Sequence, residues 1–237
     1  MPDTRRRPDD HEPAWRRIAA MGGRGWDDLC AEASPEDSYF AFERFLTGHR
    51  FATFSEGLGR QGRSLEVGCG GGQLVIRLAG LGWDAWGVDF AETAVELATR
   101  NAADAGVSVP FGRADAQRLD EAPLPDLPFD LLVDNHMLHC IVGDAARSAV
   151  VEGYASRART GSFVFTETMV RDEGYDAERY RIDPVSHVST AGNRYLASVS
   201  EAEELWRSAG FELVEASLRS GREPGEPADW SGIFRRA

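Results

Sequence analysis

The pattern of apolar and polar positions along the chain changes character near Ser64. Before that point aromatic residues recur at helical spacing, and Tyr39, Phe42 and Phe45 are spaced as on one face of an amphipathic helix. After it, short apolar runs alternate with Ala-rich segments of helical period. Strands and helices in this rhythm form βαβ units, so the pattern predicts an α/β fold with a parallel sheet.

The same pattern predicts how the chain is divided. We expect an N-terminal tail and helical cap over residues 1–58, followed by one domain over residues 59–237. Neither the helical nor the strand spacing of apolar residues continues through about residues 170–199. We interpret this segment as an insertion that covers the carboxyl edge of the sheet and the substrate. Beyond it, Ser200 and Glu203 have the spacing of a capping box, which predicts the start of a helix.

The charged residues limit the chemistry. All 26 basic residues are arginine, since the chain contains no lysine. This excludes Schiff-base catalysis, pyridoxal phosphate enzymes and phosphate loops that need a lysine. The formal net charge of -13 disfavours a nucleic-acid substrate, because the phosphate backbone would be repelled.

The cysteines and the apolar runs indicate the compartment. Cys30, Cys69 and Cys140 lack the spacing of a zinc module or a disulfide framework. No apolar run reaches the roughly 18 residues of a membrane span, and the charged start of the chain is unlike a signal peptide. We therefore expect a soluble, cytoplasmic protein.

A glycine-rich loop, LEVGCGGGQL at residues 65–74, stands between an apolar strand and a helical run. Backbone amides at such a turn form a site for an anionic group. Dinucleotide loops require G-x-G-x-x-G, but Gln73 stands where the third glycine belongs. The loop instead has an acid followed by alternate glycines: Glu66, Gly68, Gly70 and Gly72.

This acid-x-Gly-x-Gly-x-Gly pattern resembles motif I of the class I S-adenosylmethionine (SAM)-dependent methyltransferases. Asp89 follows the next strand after about 20 residues, the distance at which a carboxylate meets ribose hydroxyls. The resemblance covers about residues 64–237. It implies a Rossmann-like, seven-stranded, mostly parallel sheet with helices on both faces and an antiparallel last strand.

The resemblance also implies the cofactor, SAM, with S-adenosylhomocysteine as its product. Asp115 would accept from the adenine amino group, and Phe90 would lie on the adenine face. Cys69 is interpreted as a small apolar residue of the turn rather than a nucleophile. The cofactor-binding residues expected are Glu66, Gly68, Cys69, Gly70, Gly72, Asp89, Phe90, Asp115, Ala116 and Asn135.

The resemblance places methyl transfer at the end of the fourth strand, in the segment DNHMLHC. His136 or His139 would there take a proton from the acceptor or hold it, and we expect His139 to be the one that faces it. Alternatively, one histidine orients the backbone of the turn and the other packs against the helix. Glu167, which ends the fifth strand, is the third catalytic candidate. Residues expected to wall the acceptor are Tyr39, His187, Arg194 and Tyr195. No metal is expected, because the spacing of His136, His139, Glu167 and His187 matches no standard ligand motif.

The sequence therefore predicts a SAM-dependent methyltransferase that acts on a small molecule, with nitrogen or oxygen favoured as the acceptor atom. Two alternatives stay open. An NAD-dependent oxidoreductase is opposed by the missing glycine and by the absence of a Tyr-x-x-x-Lys pair. A protein that binds SAM without transferring methyl is opposed by the two histidines. We expect no nucleic-acid or membrane partner, and a monomer or homodimer.

Overall fold

The computed structural model describes residues 11–29, 39–189, 194–221 and 224–237. These residues form one seven-stranded sheet of order β3-β2-β1-β4-β5-β7-β6. The strands are β1 (Arg63–Val67), β2 (Asp84–Asp89), β3 (Phe111–Arg113), β4 (Phe129–Asn135), β5 (Ala158–Val170), β6 (Phe211–Arg219) and β7 (Ala228–Arg236). Strands β1 to β5 pair in parallel, and β7 runs antiparallel to both β5 and β6. The predicted fold class is confirmed.

Helices cover both faces of the sheet. The described α-helices are α1 (Glu12–Ala20), α2 (Phe40–Thr47), α3 (His49–Gly57), α4 (Gln73–Gly80), α5 (Glu92–Asp104), α6 (Asp144–Arg157) and α7 (Val199–Ser208). Short 3-10 segments occupy Trp26–Leu29, Ala116–Glu121 and Leu138–Cys140. Within the described ranges, no helix combines the length and apolar character that a membrane crossing needs.

The strand β4 shows why the central strands are continuously apolar in sequence. Leu131, Leu132 and Val133 are all fully buried, although successive side chains of a strand point to opposite faces. Leu131 and Val133 belong to the cluster that contains Phe42, whereas Leu132 belongs to the cluster that contains Trp206. A strand covered on both faces favours a run of consecutive apolar residues, as in these three positions of β4.

The aromatic helix predicted before the sheet is α2. Phe42 and Phe45 are buried against Phe165 of β5, with ring centroids 5.0 and 5.6 Å apart. Tyr39 immediately precedes the helix as its N-cap residue. The prediction of an amphipathic helix is confirmed, and the division of the chain at residue 58 stays a prediction.

The predicted capping box of α7 is wrong by two residues. The hydroxyl of Ser198 accepts from the amide of Glu201 at 3.2 Å, and the Glu201 carboxylate accepts from the Ser198 amide at 2.7 Å. The sequence contains two overlapping Ser-x-x-Glu patterns, and burial decides between them. Starting at Ser198 directs Trp206 into the core and leaves Glu203 at the surface, where it pairs with an arginine one turn later.

The segment between β5 and α7, described apart from residues 190–193, lies at the carboxyl edge of the sheet. Val170 and Ala197 form a parallel bridge, so the segment returns to the end of β5. The amide of Tyr195 donates to the carbonyl of His139 at 2.8 Å. This contact joins the segment to the turn that follows β4.

Candidate cofactor and acceptor site

A cavity of about 960 Å³ opens at the carboxyl ends of β1, β2, β4 and β5. In open α/β sheets this edge is where ligands bind. The residues expected from sequence that line it are Tyr39, Glu66, Gly68, Cys69, Gly70, Asp89, Phe90, Asp115, Ala116, Asn135, His136, His139 and Arg194. Those outside its lining are Gly72, Glu167, His187 and Tyr195.

The glycine loop passes closely under other parts of the protein. Gly68 and Gly70 have φ of +75° and +51°, a region that side chains disfavour. A Cβ on Gly68 would lie 2.5 Å from Met137, and one on Gly70 would lie 2.8 Å from the ring of Trp15. Gly72 is the N-cap residue of α4 and faces Phe111 behind the loop, which explains why it does not line the cavity.

Asp89, at the end of β2, holds the loop in place. Its carboxylate accepts from the amides of Gly70 and Ala91, each at 2.9 Å. Burial raises the pKa of Asp89, although these backbone hydrogen bonds oppose the rise. A carboxylate has about four lone-pair positions, so Asp89 can still accept hydrogen bonds from a ligand in the cavity.

Glu66 brings an unsatisfied carboxyl oxygen to the cavity. The side chain is buried, and its Oε2 has no hydrogen-bond partner. Burial raises the pKa of Glu66 well above its ordinary value, and the negative charge of Asp89 adds to the rise. A buried polar atom of this kind is usually satisfied by a bound group, so Glu66 suits a ligand that is cationic or donates hydrogen bonds.

Asp115 and Phe90 lie at the end of the cavity beyond β2 and β3. Asp115 caps a 3-10 segment by accepting from the amide of Gln117 at 2.9 Å. The guanidinium of Arg113 lies 5.2 Å from the centroid of the Phe90 ring. Ala116 lines the wall beside them, and its small side chain leaves room for a planar ligand group.

His136 occupies a strained position directly after β4. Its φ is +60°, which is unusual for a residue other than glycine, and its amide donates to the carbonyl of Glu167 at 2.8 Å. The side chain is 27% exposed, and its Nε2 lies 4.0 Å from Oε1 of Glu167. Burial lowers the pKa of His136, as do Arg194 and Arg219, while Asp229 opposes the change. The ring is thus kept neutral and open to the cavity.

Glu167 lies behind His136. Burial raises its pKa to about 8, with help from Asp229 and against the charge of Arg219, whose guanidinium is 3.9 Å away. Its Oε2 has no hydrogen-bond partner. Glu167 also borders a second cavity of about 260 Å³, between α2 and the β6–β7 hairpin, that contains Phe40 in its wall. The carboxyl group is therefore protonated near neutral pH and adjoins the main cavity through His136.

His139 is more enclosed than the sequence suggests. It is only 5% exposed, so His136 rather than His139 is the more open of the two. Its Nδ1 accepts from the amide of Met169 at 3.3 Å and lies 3.4 Å from the hydroxyl of Thr168. A neutral ring that accepts at Nδ1 carries its proton on Nε2, so we assign His139 as a hydrogen-bond donor at Nε2.

The four residues expected to wall the acceptor divide into two pairs. Tyr39 and Arg194 line the cavity, whereas Tyr195 lies under the guanidinium of Arg147, 3.6 Å from its ring centroid, and His187 lies outside. Within the described ranges, no three His, Cys, Asp or Glu side chains are grouped as a metal site.

Several residues that line the cavity were not predicted from the sequence. They are His11, Trp15 and Trp26 from the N-terminal segment, Met137 and Met169 beside the histidines, and Arg219 and Asp229 from the β6–β7 hairpin. The aromatic-rich start of the chain was a signal for the tryptophans. Arg219 and Asp229 are directly paired across the hairpin, a register that depends on its loop and has no local signal.

Comparison with known proteins yields matches to methyltransferases. A family described as a methyltransferase domain matches residues 65–161. The ubiquinone biosynthesis O-methyltransferase of Burkholderia ambifaria (strain MC40-6) is 31% identical over 110 residues, which are 46% of this chain and 45% of that protein. The match thus spans less than half of that relative's length.

Two solved structures share the fold over nearly the whole chain. Magnesium protoporphyrin IX methyltransferase from Synechocystis PCC 6803, with bound S-adenosylhomocysteine, has a TM-score of 0.67 and 17% identity, covering 98% of each chain. The 1,6-didemethyltoxoflavin-N1-methyltransferase of Burkholderia thailandensis has a TM-score of 0.60 and 18% identity, covering 98% of this chain and 91% of that one. At these identities the likeness shows the fold alone.

The strand order, the glycine loop and the matched domain agree with one another. The domain match begins at Leu65, at the glycine loop, and ends within β5, so it contains the loop and the acids that follow the next two strands. Residues 65–161 match the family described as a methyltransferase domain, and the strand order around them is shared with the solved methyltransferase structures.

Proposed function

We propose that this protein transfers a methyl group from SAM to nitrogen or oxygen of a small-molecule acceptor. The observation that carries the proposal is that the glycine loop, its acids and the two histidines all line the same cavity. Its volume of about 960 Å³ is at the upper end for small-molecule sites, which leaves space for an acceptor beside the cofactor.

The residues around the loop suit the chemical groups of SAM. Glu66 offers an unsatisfied buried oxygen to the cationic methionine part, and Asp89 retains lone pairs for the ribose diol. Asp115 and Phe90 offer an acceptor and an aromatic face for adenine. The loop amides that line the same cavity suit the methionine carboxylate.

SAM, when bound, supplies a methyl group on a positively charged sulfur, which leaves as a neutral thioether. The protein therefore has to hold the acceptor close to that methyl and to remove a proton if the acceptor carries one. His136 is neutral, partly exposed and next to Asn135 at the end of β4, so we assign it as the proton acceptor. His139 would orient the acceptor through Nε2–H.

The N-terminal segment would keep water from the reaction. Trp15 packs over Gly70, and its ring lies 5.6 Å from that of Trp26, edge to face. Tyr39 lines the same side of the cavity, and burial, with the nearby charge of Asp27, raises the pKa of Tyr39. Aromatic walls of this kind exclude water and so strengthen the interactions within the site.

The choice between nitrogen and oxygen stays open within the proposal. Among the relatives, one is named as an O-methyltransferase and another as an N1-methyltransferase. Both kinds of acceptor atom carry a proton that a neutral histidine can take. The cytoplasmic location, the absence of nucleic-acid partners and a monomeric or dimeric state remain predictions from sequence.

Calorimetric titration of the purified protein with S-adenosylhomocysteine and, separately, with NAD tests the proposal. We expect micromolar binding of S-adenosylhomocysteine and no binding of NAD. Binding of NAD alone would support the oxidoreductase alternative, and binding of neither would contradict the assigned cofactor site. Methyl transfer is then checked by mass spectrometry of acceptor mixtures, because a gain of one methyl group separates an enzyme from a protein that only binds SAM.

A further inference from the structure

Arg194 lines the cavity and pairs with no acid among the described residues. Its guanidinium reaches only the thioether sulfur of Met169, at 3.7 Å, and it makes no ion pair within the described ranges. Sulfur is a weak hydrogen-bond acceptor, whereas a guanidinium has five donors in a fixed fork. Most of the hydrogen-bonding capacity of Arg194 is therefore available to a ligand.

The other arginine of the cavity is in a different state. Arg219 pairs with Asp229 at 2.8 Å and approaches Glu167 at 3.9 Å, so its charge is balanced inside the protein. The two arginines lie on different elements, one between β5 and α7 and the other at the end of β6. Of the two arginines, Arg194 is therefore the better candidate to bind an anionic group of a ligand.

The surroundings of Arg194 locate that anion at the acceptor end of the cavity. Met169, which contacts Arg194, also donates its amide to Nδ1 of His139 at 3.3 Å. The next residue, Tyr195, donates its amide to the carbonyl of His139. Arg194 is thus adjacent to the histidines and belongs to a different part of the cavity from the glycine loop.

We propose that Arg194 binds a carboxylate of the acceptor, so that the substrate class is a compact acid with a hydroxyl or amino group as the methyl acceptor. This inference rests on the proposed function. A planar carboxylate matches the guanidinium fork with two parallel hydrogen bonds. The acids that also line this cavity, Glu226 and Asp229, favour a singly charged group over a doubly charged phosphate.

Paired ligands test the proposal on protein that is first saturated with S-adenosylhomocysteine. The probes are hydroxybenzoates, aminobenzoates and short hydroxy acids, each titrated beside its primary amide, which has the same shape without the charge. We expect at least one acid to bind about tenfold or more tightly than its amide, as charge-assisted hydrogen bonds allow. The proposal is wrong if no acid in the panel binds, or if acids and amides bind equally.

The variant Arg194→Gln removes the charged fork and leaves a shorter, neutral, polar side chain. It should weaken binding of the acid about tenfold, leave the amide unchanged and raise KM with little change in kcat. Arg194→Lys should restore part of the affinity, and Arg207→Gln, on the outer surface of α7, is the matched control. If Arg194→Gln instead weakens S-adenosylhomocysteine binding, the residue serves the cofactor and the proposal fails. Failure of the wild type to bind S-adenosylhomocysteine would instead refute the proposed function.

Discussion

Single carboxylates in this site serve both the fold and the ligand. Asp89 accepts from two backbone amides of the loop and the following turn, and it also lines the cavity. Glu66, one strand away, has an oxygen that no protein group satisfies. A ligand would affect the two acids differently. At Asp89 it would add hydrogen bonds to a carboxylate that already accepts two, whereas at Glu66 it would supply a partner for an oxygen that has none.

Asp89→Ala is expected to lower both stability and cofactor affinity. The amides of Gly70 and Ala91 would lose their acceptor, at a cost of about 1–3 kcal/mol, and S-adenosylhomocysteine would bind about tenfold more weakly. Thermal melting and calorimetry measure the two effects. The control is Asp84→Ala at the other end of β2, which breaks a pair with Arg63 but leaves the cavity intact. Normal binding by Asp89→Ala would remove the basis of the site assignment.

His136→Asn should slow methyl transfer without loss of the cofactor. Removing a general base costs about 100-fold or more in kcat, and S-adenosylhomocysteine affinity should change less than about threefold. Because the pKa of His136 is lowered from 6.5, kcat of the wild type should reach its plateau below that pH. His49→Asn, on the exposed side of α3, is the matched control. A variant of His136 that retains full activity would show that it is not the base.

Glu167→Gln should reduce the pH dependence of stability. Glu167 keeps its proton in the folded protein up to a pKa of about 8, whereas the unfolded chain releases it near 4.5. Unfolding in that window releases a proton, so the wild-type stability falls as pH rises, by an amount on the order of 4 kcal/mol over about three pH units. Urea unfolding at about pH 5 and about pH 8.5 measures the fall. Its magnitude should shrink in Glu167→Gln and not in Glu203→Gln, and equal slopes in wild type and Glu167→Gln would contradict the assignment.

At the scale of elements, α1 forms a wall of the cofactor end. Trp15 and Ile18 of this helix pack against Ala94 and Leu97 of α5, and the carboxylate of Glu12 accepts from the amide of Thr93 in the first turn of α5 at 3.3 Å. The helix is thereby fixed to the same βαβ unit that supplies Asp89. Its packing connects the N-terminal segment to the proposed cofactor site.

Trp15→Ala tests this role of α1. Loss of the ring opens the cavity above Gly70 and removes apolar contacts, so S-adenosylhomocysteine should bind about tenfold more weakly. Calorimetry gives the affinity, and the melting temperature shows whether the remaining domain is folded. Met21→Ala, just beyond α1 and 59% exposed, should match the wild type. Unchanged affinity in Trp15→Ala would mean that α1 does not contribute to cofactor binding.

The sequence was most informative where a local pattern decides the structure. The buried runs of β1 and β4 and the alternation after Ser64 indicated the sheet, and Glu66, Asp89 and Asp115, which were selected from their positions at or just after strands, line the cavity. It was less informative where distant segments decide. Two overlapping Ser-x-x-Glu patterns left the start of α7 to be chosen by the burial of Trp206.

The acceptor end shows the same limit more strongly. Which of His136 and His139 is exposed to the cavity depends on how the turn after β4 packs against the end of β5. The hydrogen bond from the Met169 amide to Nδ1 of His139 forms only in the folded chain. Arg219 lines the cavity because the register of the antiparallel β6–β7 hairpin places it there. Long-range contacts of this kind have no signature in a single sequence.

For the molecule as a whole, the strand order brings the proposed cofactor site and the two histidines to one edge of the sheet. Strand β1 lies between β2 and β4, so the loop acids and the histidines meet at the edge where the chain reverses its order of strand placement. The overall charge is -13, and acids outnumber arginines in the lining of the cavity as well. Arg194 can attract a small anion at short range, whereas a long polyanion meets the repulsion of the whole chain.

A crystal structure of the protein with S-adenosylhomocysteine would test the central claim most directly. We expect electron density for the ligand in the cavity, with the adenine near Phe90 and Asp115, the ribose hydroxyls on Asp89, and the sulfur directed towards His136. Density at another site, or a ligand whose sulfur end points away from the two histidines, would contradict the proposal that methyl transfer takes place in this cavity.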